Sequence, residues 1–219
     1  MEVALSNIVH DYIEDYIRSM ITQNDNALKA MELFAQENHI PIIQPEVAKF
    51  LSFMLKTKRV TSILEVGTAI GYSAIVMYNC ARSCRIVTIE RDDEMIKKAT
   101  ENIKNAGLDN NIEIIKGDAQ EVLSNMNEKF DFIFLDGAKG QYLELFQHCN
   151  RMLNINGIIF ADNVLFRGMV ATNELLIRRK ITIVKRMRKY LKFMTENENY
   201  ETSILPLGDG VAVSIKIGG

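Results

Sequence analysis

The amino-acid sequence predicts an α/β fold built on a seven-stranded, mostly parallel sheet, and two features of its pattern predict this class. From residue 63 to residue 162, short apolar runs rich in β-branched side chains alternate with longer stretches of helical spacing. This alternation is typical of parallel strands whose connecting helices cover both faces of a sheet. After residue 194 the pattern changes to two apolar runs that flank a turn at 206–210, which predicts an antiparallel hairpin at one edge.

The predicted elements follow in order along the chain. Apolar residues about 3.6 positions apart predict amphipathic helices over 4–22 and 26–37, and a third helix over about 46–55 leads to a first strand ending at Val66. The later strands are predicted over 85–90, 111–116, 130–136, 157–162, 200–205 and 211–217. The later helices are predicted over 92–105, 119–126, 140–153 and 173–194. We expect one domain, 1–219, with an N-terminal helical extension in 1–56 and a Rossmann-like core in 60–219.

Composition and charge exclude several classes of protein. With 219 residues and 47% hydrophobic side chains, the chain can bury a substantial core, and a formal charge of −2 gives no overall attraction to nucleic acids or membranes. Its three cysteines form no plausible disulfide framework and indicate a reducing compartment. The acidic N-terminus is unlike a signal peptide, and no window is apolar enough to span a bilayer. A cytoplasmic protein is therefore expected.

The stretch Ile63–Ser73 predicts a buried strand, a glycine turn and the beginning of a helix. Such a turn presents backbone N–H groups to a ligand, and two cofactors fit it, a dinucleotide and S-adenosylmethionine. The spacing Gly67-x-x-x-Gly71 lacks the middle glycine of the dinucleotide fingerprint, and Glu65 would be an unfavourable neighbour for a pyrophosphate. Glu65 instead suits a cationic amino group and Ser73 a carboxylate. The stretch therefore favours the amino-acid end of S-adenosylmethionine.

Acidic residues follow successive predicted strands. Because the carboxyl ends of parallel strands meet at one edge of a sheet, these side chains are expected to share a crevice. Glu90, 23 residues after Gly67, is expected to accept hydrogen bonds from the ribose hydroxyls of the donor, and Asp118 from its adenine amine. Each also fits an alternative role as a cap of the helix that follows it.

A divalent-metal site is predicted at the next two strand ends. Asp136 ends the fourth predicted strand, and Asp162-Asn163 ends the fifth. Two carboxylates and an amide oxygen are hard ligands that suit Mg²⁺, Mn²⁺ or Ca²⁺ rather than zinc. Lys139 is expected to act as a general base or as a cation near the substrate oxygen. The alternatives are helix capping by the Asp-Asn pair and a solvated loop lysine.

A basic segment suggests a polyanionic substrate. Residues 178–192 contain eight basic side chains and no acid, whereas the rest of the chain has 18 basic and 28 acidic residues. A basic helix beside a substrate pocket is a plausible phosphate-binding surface, for tRNA or for coenzyme A. A solvated helix face whose apolar side packs on the core is the alternative, and it is compatible with phosphate binding.

Together these motifs resemble the cation-dependent O-methyltransferases, the family of the catechol and caffeoyl-coenzyme A enzymes. The matching motifs are Glu65-x-Gly67-x-x-x-Gly71-Tyr72-Ser73, Glu90, Gly117-Asp118-Ala119, Leu135-Asp136-Gly137-Ala138-Lys139, Ala161-Asp162-Asn163-Val164-Leu165 and Gly208-Asp209-Gly210. The resemblance implies methyl transfer from S-adenosylmethionine to a hydroxyl with the help of Mg²⁺. It implies donor contacts from Ile43, Ser73, Glu90, Asp118, Ala119 and Asp136, metal ligation by Asp136, Asp162 and Asn163, and a place for Lys139 at the transferred proton. The family position that carries a large aromatic residue in some members is Ala69 here.

Within that family the chain looks closest to the bacterial branch that includes the tRNA 5-hydroxyuridine methyltransferase. The short chain, Arg167-Gly168 and the ending over 205–211 carry this resemblance. It implies methylation of 5-hydroxyuridine to 5-methoxyuridine at the tRNA wobble position. A small hydroxylated aromatic substrate, as in a catechol or acyl-coenzyme A O-methyltransferase, is the alternative, and a non-catalytic module that binds the methyl donor is a third. A homodimer is expected, partly by analogy with the family.

Overall fold

The central feature of the computed structural model, which describes residues 8–22, 25–81 and 83–218, is a seven-stranded sheet. Its strands are β1 (Ser62–Val66), β2 (Arg85–Glu90), β3 (Ile112–Lys116), β4 (Phe130–Leu135), β5 (Leu153–Ala161), β6 (Tyr200–Leu205) and β7 (Val211–Lys216). The order across the sheet is β3–β2–β1–β4–β5–β7–β6. β1 to β5 pair in parallel, whereas β7 runs antiparallel to both β5 and β6. The predicted sheet with its antiparallel edge pair is confirmed.

Helices cover both faces of this sheet. They are α1 (Asp11–Ser19), α2 (Asn26–Glu37), α3 (Pro45–Thr57), α4 (Tyr72–Cys80), α5 (Asp93–Asn105), α6 (Ala119–Asn125), α7 (Tyr142–Met152) and α8 (Ile181–Glu196). Successive side chains of a strand point to opposite faces. Ile63 of β1 accordingly lies in an apolar cluster with residues of α2, α3 and α4, and Leu64 lies in a second cluster with residues of α6, α7 and α8. The predicted helices on both faces are thus confirmed.

The boundaries of two helices, α1 near the N-terminus and α8 near the C-terminus, differ from their predictions. The helix predicted over 4–22 is α1, which begins at Asp11, and positions 4–7 lie outside the described residues. The helix predicted from 173 begins only at Ile181, after a short 3₁₀ turn over Arg178–Lys180. The guanidinium of Arg188 binds the carbonyl oxygens of Met169 and Val170 at 3.1 and 2.9 Å, which holds the chain before the turn in a loop. Tertiary hydrogen bonding therefore overrides the helical pattern there.

Helix α1 presents apolar side chains to solvent. Tyr12, Tyr16 and Met20 are exposed, and no residue of this helix is buried among the described residues. Arg18 connects this helix to α3, because its guanidinium donates two hydrogen bonds of 2.8 Å to the buried carboxylate of Glu46. The expected homodimer stays a prediction. Within the described ranges, none of the helices has both the length and the apolar character needed to cross a membrane.

The strand order creates a crevice at one edge of the sheet. β1 lies between β2 and β4 in the sheet. The connection after β1 therefore runs toward one edge of the sheet, and the connection from β3 to β4 crosses to the other side of β1. In open α/β sheets such a reversal leaves a gap between the connecting segments, where ligands bind. The turns that follow β1, β2, β4 and β5 all open toward this gap, and they carry most of the predicted site residues.

Candidate active site

The turn between β1 and α4 brings the main chain close to the end of β4. Gly67 has a φ angle of +104°, and a Cβ atom there would lie 2.8 Å from the Gly137 nitrogen, too close for any side chain. Gly71, with a φ of +81°, is the N-cap residue of α4. The N–H groups of Gly67 and Thr68 donate to the Ile89 carbonyl at 3.0 and 3.3 Å. Glycine is therefore required at position 67 both by its φ angle and by the contact with the neighbouring turn.

Glu65 lies beneath this turn. The residue is fully buried, and its carboxylate accepts a short hydrogen bond from the Ser73 hydroxyl and a second, at 2.6 Å, from the Thr88 hydroxyl. Burial raises the pKa of Glu65 from 4.5 to about 7, although both hydroxyl groups oppose the shift. The Thr88 hydroxyl is in turn 2.6 Å from that of Thr68. The predicted contacts of Glu65 and Ser73 with the amino-acid end of the donor stay predictions, since here the two side chains bind each other.

Glu90 closes the same turn from the side of β2. One carboxylate oxygen accepts from the Ala69 N–H at 3.0 Å, and the other accepts from the N–H groups of Arg91 and Asp92 at 2.9 and 3.0 Å. The N-cap of α5 is Asp92, whose side chain accepts from two N–H groups of the first turn. Asp92, and not Glu90, is therefore the N-cap of this helix. Glu90 faces the crevice, where contact with the ribose stays a prediction.

Asp118, Ala119 and Ile43 have different degrees of access to the crevice. Asp118 is the N-cap of α6 and accepts from the Gln120 N–H at 3.0 Å, so its alternative role as a cap is confirmed. Asp118 and Ala119 nevertheless line a cavity, which keeps the adenine contact open as a prediction. The Ile43 side chain is buried in the core, whereas its neighbours Ile42 and Gln44 reach the crevice. Any donor contact of Ile43 would therefore involve its main chain.

Two adjoining cavities occupy the crevice. Cavity A has a volume of about 400 Å³ and cavity B of about 730 Å³, which together exceed the space that a single nucleoside ligand needs. Cavity A is lined by Pro41, Ile42, Gln44, Gly67, Ala69, Glu90, Asp136, Gly137, Lys139, Asp162, Asn163, Arg167 and Asp209. The polar and aromatic part of cavity B comprises Glu90, Arg91, Asp118, Lys139, Gln141, Phe166, Lys180 and Arg186. Gly67, Glu90, Gly137 and Lys139 line both cavities, so the two lie side by side.

The predicted metal ligands Asp136, Asp162 and Asn163 meet in cavity A. Asp162 is buried, and one of its carboxylate oxygens accepts from the Asn163 N–H at 2.6 Å. Asn163 has a φ of +58°, a left-handed conformation that turns the chain sharply at the end of β5. Burial raises the pKa of both aspartates, and the negative charge of Asp136 further raises that of Asp162. One buried and one half-buried carboxylate beside an amide oxygen fit a hard divalent cation.

No group of three or more His, Cys, Asp and Glu side chains with metal-binding geometry occurs in the part of the chain that the structure describes. The predicted set contains two carboxylates and one amide, so it does not depend on such a group. Lys139 is the cation that opposes the pKa shifts of both Asp136 and Asp162. It begins a 3₁₀ turn after Ala138, whose φ is +56°. Arg186 of α8 donates to the Gly140 carbonyl of this turn at 3.2 Å, which ties Lys139 to the basic helix.

The basic segment lies at the edge of cavity B. Lys180 and Arg186 line the cavity, and the Lys180 ammonium lies 5.6 Å from the centre of the Phe166 ring. The apolar side of α8 is buried, as the alternative interpretation required. Its buried residues are Val184, Met187, Tyr190, Leu191 and Met194. The exposed basic residues of the segment are Arg178, Arg179, Lys185, Arg186, Lys189 and Lys192. The segment is therefore both a packed helix and a charged surface beside the crevice.

Two charged residues of cavity A, Arg167 and Asp209, were not among the predicted site residues. The main-chain N–H of Arg167 donates to the Asp209 carboxylate, which joins the loop after β5 to the turn between β6 and β7. Three consecutive residues of that loop, Phe166, Arg167 and Gly168, have positive φ angles. Asp209 was visible only as the acid within a Gly-Asp-Gly turn. A lone carboxylate between two glycines was a signal for a role beyond the turn itself.

Comparisons with known proteins agree with this architecture. A family model described as O-methyltransferase matches residues 18–217. A catechol O-methyltransferase from Niastella koreensis is 30% identical over 96% of this chain and 99% of its own length. A crystal structure of a putative caffeoyl-CoA O-methyltransferase from Staphylococcus aureus has a TM-score of 0.84 and 32% identity, with 94% of this chain and 97% of that one covered. An SAH-bound methyltransferase from Podospora anserina has a TM-score of 0.85 at 24% identity, covering 94% of each chain, and so shares the fold.

These matches extend over almost the whole chain, and the predicted family resemblance is confirmed. The alternative of a non-catalytic donor-binding module is not retained, because the relatives are enzymes across the full length of the match. The chain belongs to the O-methyltransferase family and is an S-adenosylmethionine-dependent O-methyltransferase of the catechol and caffeoyl-CoA type.

Proposed function

We propose that this enzyme methylates 5-hydroxyuridine at the tRNA wobble position to 5-methoxyuridine, with a divalent cation held by Asp136, Asp162 and Asn163. The observation that carries the substrate class is the exposed basic surface of residues 178–192 beside the crevice. A surface of this charge favours a substrate that brings several phosphates to the site. The base to be methylated would enter cavity A while its backbone follows the basic surface.

The donor half of the proposal uses the turns after β1, β2 and β3. In this proposal Glu90 faces the ribose hydroxyls, and Asp118 with Ala119 faces the adenine ring. The methionine end lies against the glycine turn, above the buried Glu65–Ser73 pair. The support is that Gly67 and Glu90 line both cavities, so a donor bound across them would bring its sulfonium next to Asp136. Binding of the donor in this position also excludes water from the reacting centre.

The acceptor half uses the ends of β4 and β5. A divalent cation, when bound, would lower the pKa of the substrate hydroxyl and orient it. 5-Hydroxyuridine offers the 5-oxygen and the adjacent 4-carbonyl oxygen, a vicinal pair comparable to that of a catechol. Lys139 in its amine form would take the hydroxyl proton, and as an ammonium it would stabilise the oxyanion that results. The oxygen would then attack the methyl carbon in line with the carbon–sulfur bond, so that an O–CH₃ bond forms, the S–CH₃ bond breaks, and S-adenosylhomocysteine leaves.

The salt dependence of tRNA binding tests the role of the basic surface. Lys185 and Lys189 are both exposed and lie one helical turn apart on α8. Their double replacement by glutamine is expected to reduce the slope of log K against log salt by about 1.5, because each lost phosphate contact removes about 0.7–0.9. Lys97→Gln on α5 removes an exposed charge from a different helix and is the matched control. Equal slopes for the three proteins would contradict phosphate contact by α8.

A small hydroxylated substrate is the second candidate, and the named relatives favour it. One of them is a catechol O-methyltransferase and another a putative caffeoyl-CoA O-methyltransferase. The coenzyme A phosphates would also be attracted by the basic surface, so charge alone does not separate the two candidates. Mass spectrometry of tRNA nucleosides from cells that lack the protein does separate them. Loss of 5-methoxyuridine is expected, and an unchanged content would transfer the proposal to the small-molecule class.

A further inference from the structure

A buried tyrosine hydroxyl joins the ends of the two strands that carry the candidate metal ligands. Tyr142 is the first residue of α7, and only 1% of its surface is exposed. Its hydroxyl lies 3.0 Å from the carbonyl oxygen of Leu135 and 3.0 Å from that of Asp162. Leu135 is the last residue of β4, and Asp162 directly follows β5. The hydroxyl proton is thus shared between two carbonyl groups on neighbouring strands.

The position of this contact matters because the sheet ends there. The last paired residues of β4 and β5 are Leu135 and Ala161, and the Asp162 N–H adds one more hydrogen bond to the Leu135 carbonyl at 2.9 Å. After this point the N–H groups of Asp136 and Gly137 donate to the Val66 carbonyl, and Asn163 takes a left-handed conformation. The Tyr142 hydroxyl therefore binds the two strands at the level where both aspartates leave the sheet. Strand separation at this level changes the distance between the aspartates directly.

We infer that Tyr142 is a positioning residue for the cation site, because its hydroxyl fixes the separation of the strand ends that present Asp136 and Asp162. The inference rests on the metal role proposed above. The shared hydrogen bond opposes any movement that would separate the two strand ends. A cation then binds to ligands already held at the required spacing. Residues that orient metal ligands in this way typically change metal affinity by 10- to 100-fold when replaced.

The neighbouring Tyr190 provides a matched control. Its ring packs edge-on against that of Tyr142 with centroids 5.5 Å apart, and it too is fully buried. Its hydroxyl has no hydrogen-bond partner among the described residues. Tyr190→Phe therefore removes the same atom from the same apolar layer as Tyr142→Phe, without releasing either strand end. A difference between the two variants reports on the strand contact and not on the loss of a buried oxygen.

Titration of the full chain with Mn²⁺ alone, followed by electron paramagnetic resonance, tests the inference. Tyr142→Phe is expected to raise the Kd for Mn²⁺ at least about tenfold, whereas Tyr190→Phe stays within about twofold of the parent protein. The Kd for S-adenosylhomocysteine, measured by calorimetry without added metal, is expected to stay within about twofold in all three proteins, because the Asp136 and Gly137 N–H groups keep their hydrogen bonds to the Val66 carbonyl. Equal Mn²⁺ affinity in the parent and Tyr142→Phe would overturn the inference, and so would an equal loss in both variants.

Absence of Mn²⁺ binding by the parent protein would instead refute the proposed metal role itself, so the two failures are distinguishable. If Tyr142→Phe does not fold, the parent protein labelled with ¹³Cζ-tyrosine replaces it. Addition of Mg²⁺ is expected to shift the Tyr142 signal and leave the Tyr190 signal in place, with assignments from phenylalanine variants at the other tyrosines. A Tyr142 signal that Mg²⁺ leaves unmoved would overturn the inference.

Discussion

Replacement of Glu65 by glutamine is expected to change how the stability of the enzyme depends on pH. Glu65 is fully buried under the glycine turn, and burial raises its pKa from 4.5 to about 7. Because each pKa unit corresponds to about 1.4 kcal/mol, the shift corresponds to about 3 kcal/mol of folding free energy. Glutamine has the same shape and can bond to both hydroxyls, those of Ser73 and Thr88. It remains neutral at every pH in this range.

The direction of the effect follows from which state binds the proton more tightly. The folded state does so, because its pKa is the higher one. The contribution of Glu65 to stability is therefore fully present below pH 4.5, decreases as the pH rises, and is lost above about pH 7. The glutamine variant lacks this decrease. Relative to the parent protein, we expect it to gain up to about 3 kcal/mol of stability between pH 5 and pH 8.

Urea unfolding of both proteins at pH 5, 6, 7 and 8 measures the difference directly. The difference between the unfolding free energies of the two proteins at each pH cancels the contributions of all titrating groups that they share. A difference in unfolding free energy that stays constant within about 0.5 kcal/mol over this range would refute the reasoning about Glu65. It would mean that the buried carboxyl is already ionised in the folded enzyme near pH 5, or that water reaches it.

Three further predictions concern the donor and metal sites. Gly67→Ala is expected to destabilise the fold by about 1–3 kcal/mol and to prevent S-adenosylhomocysteine binding, because its Cβ would lie 2.8 Å from the Gly137 nitrogen. Gly107→Ala is the control, because Gly107 has a φ of +68° but no atom lies within 4 Å of an added Cβ, so this variant measures the cost of backbone strain alone. An equal loss of S-adenosylhomocysteine binding in Gly107→Ala would contradict the explanation by a steric clash at Gly67. Asp118→Ser should keep the helix cap within about 0.5 kcal/mol but weaken donor affinity about tenfold, and unchanged calorimetric affinity would exclude an adenine contact. Asp162→Ala or a chelator should abolish methyl transfer, Mg²⁺ or Mn²⁺ should reverse the chelator, and S-adenosylhomocysteine binding should persist in both. Full turnover in metal-free buffer would remove the cation from the mechanism.

The sheet was predictable because its signals are local. The strand predicted over 85–90 matches β2, and that over 200–205 matches β6, since each apolar run is bounded by turn residues. The start of α8 was not predictable. Residues 173–180 have a composition compatible with a helix, but Arg188 binds the main chain of the preceding loop from 18 and 19 positions away. Such a contact depends on the tertiary structure and leaves no periodic pattern in the sequence.

In the candidate site, too, some features follow from the sequence pattern and others depend on tertiary contacts. Strand ends converge by topology, so the meeting of Asp136, Asp162 and Asn163 in one cavity followed from their places after β4 and β5. The depth of a side chain beneath a turn does not follow from topology. The predicted donor contacts of Glu65 and Ser73 stay predictions, but the hydrogen bond between the two side chains was not foreseen. Glu65 lies two positions before the turn and points into the protein, and the first turn of α4 places Ser73 above it. The glycine turn is therefore supported by a buried polar pair that spacing alone could not reveal.

The contact between two glycines brings together the proposed donor site and the proposed metal site, which share Asp136. A Cβ on Gly67 would meet the Gly137 nitrogen at 2.8 Å, and a Cβ on Gly137 would meet the Gly67 Cα at 3.1 Å. Both N–H groups that follow β4, those of Asp136 and Gly137, donate to the Val66 carbonyl at 3.0 and 2.8 Å. The turn after β1 and the turn after β4 thus form one hydrogen-bonded unit, with Asp136 between the proposed donor turn and β5, which carries the other two proposed metal ligands. A cation ligand placed there cannot move without moving the donor turn. We therefore expect metal and donor binding to be thermodynamically coupled, so that Mg²⁺ and S-adenosylhomocysteine each change the other's Kd by the same factor.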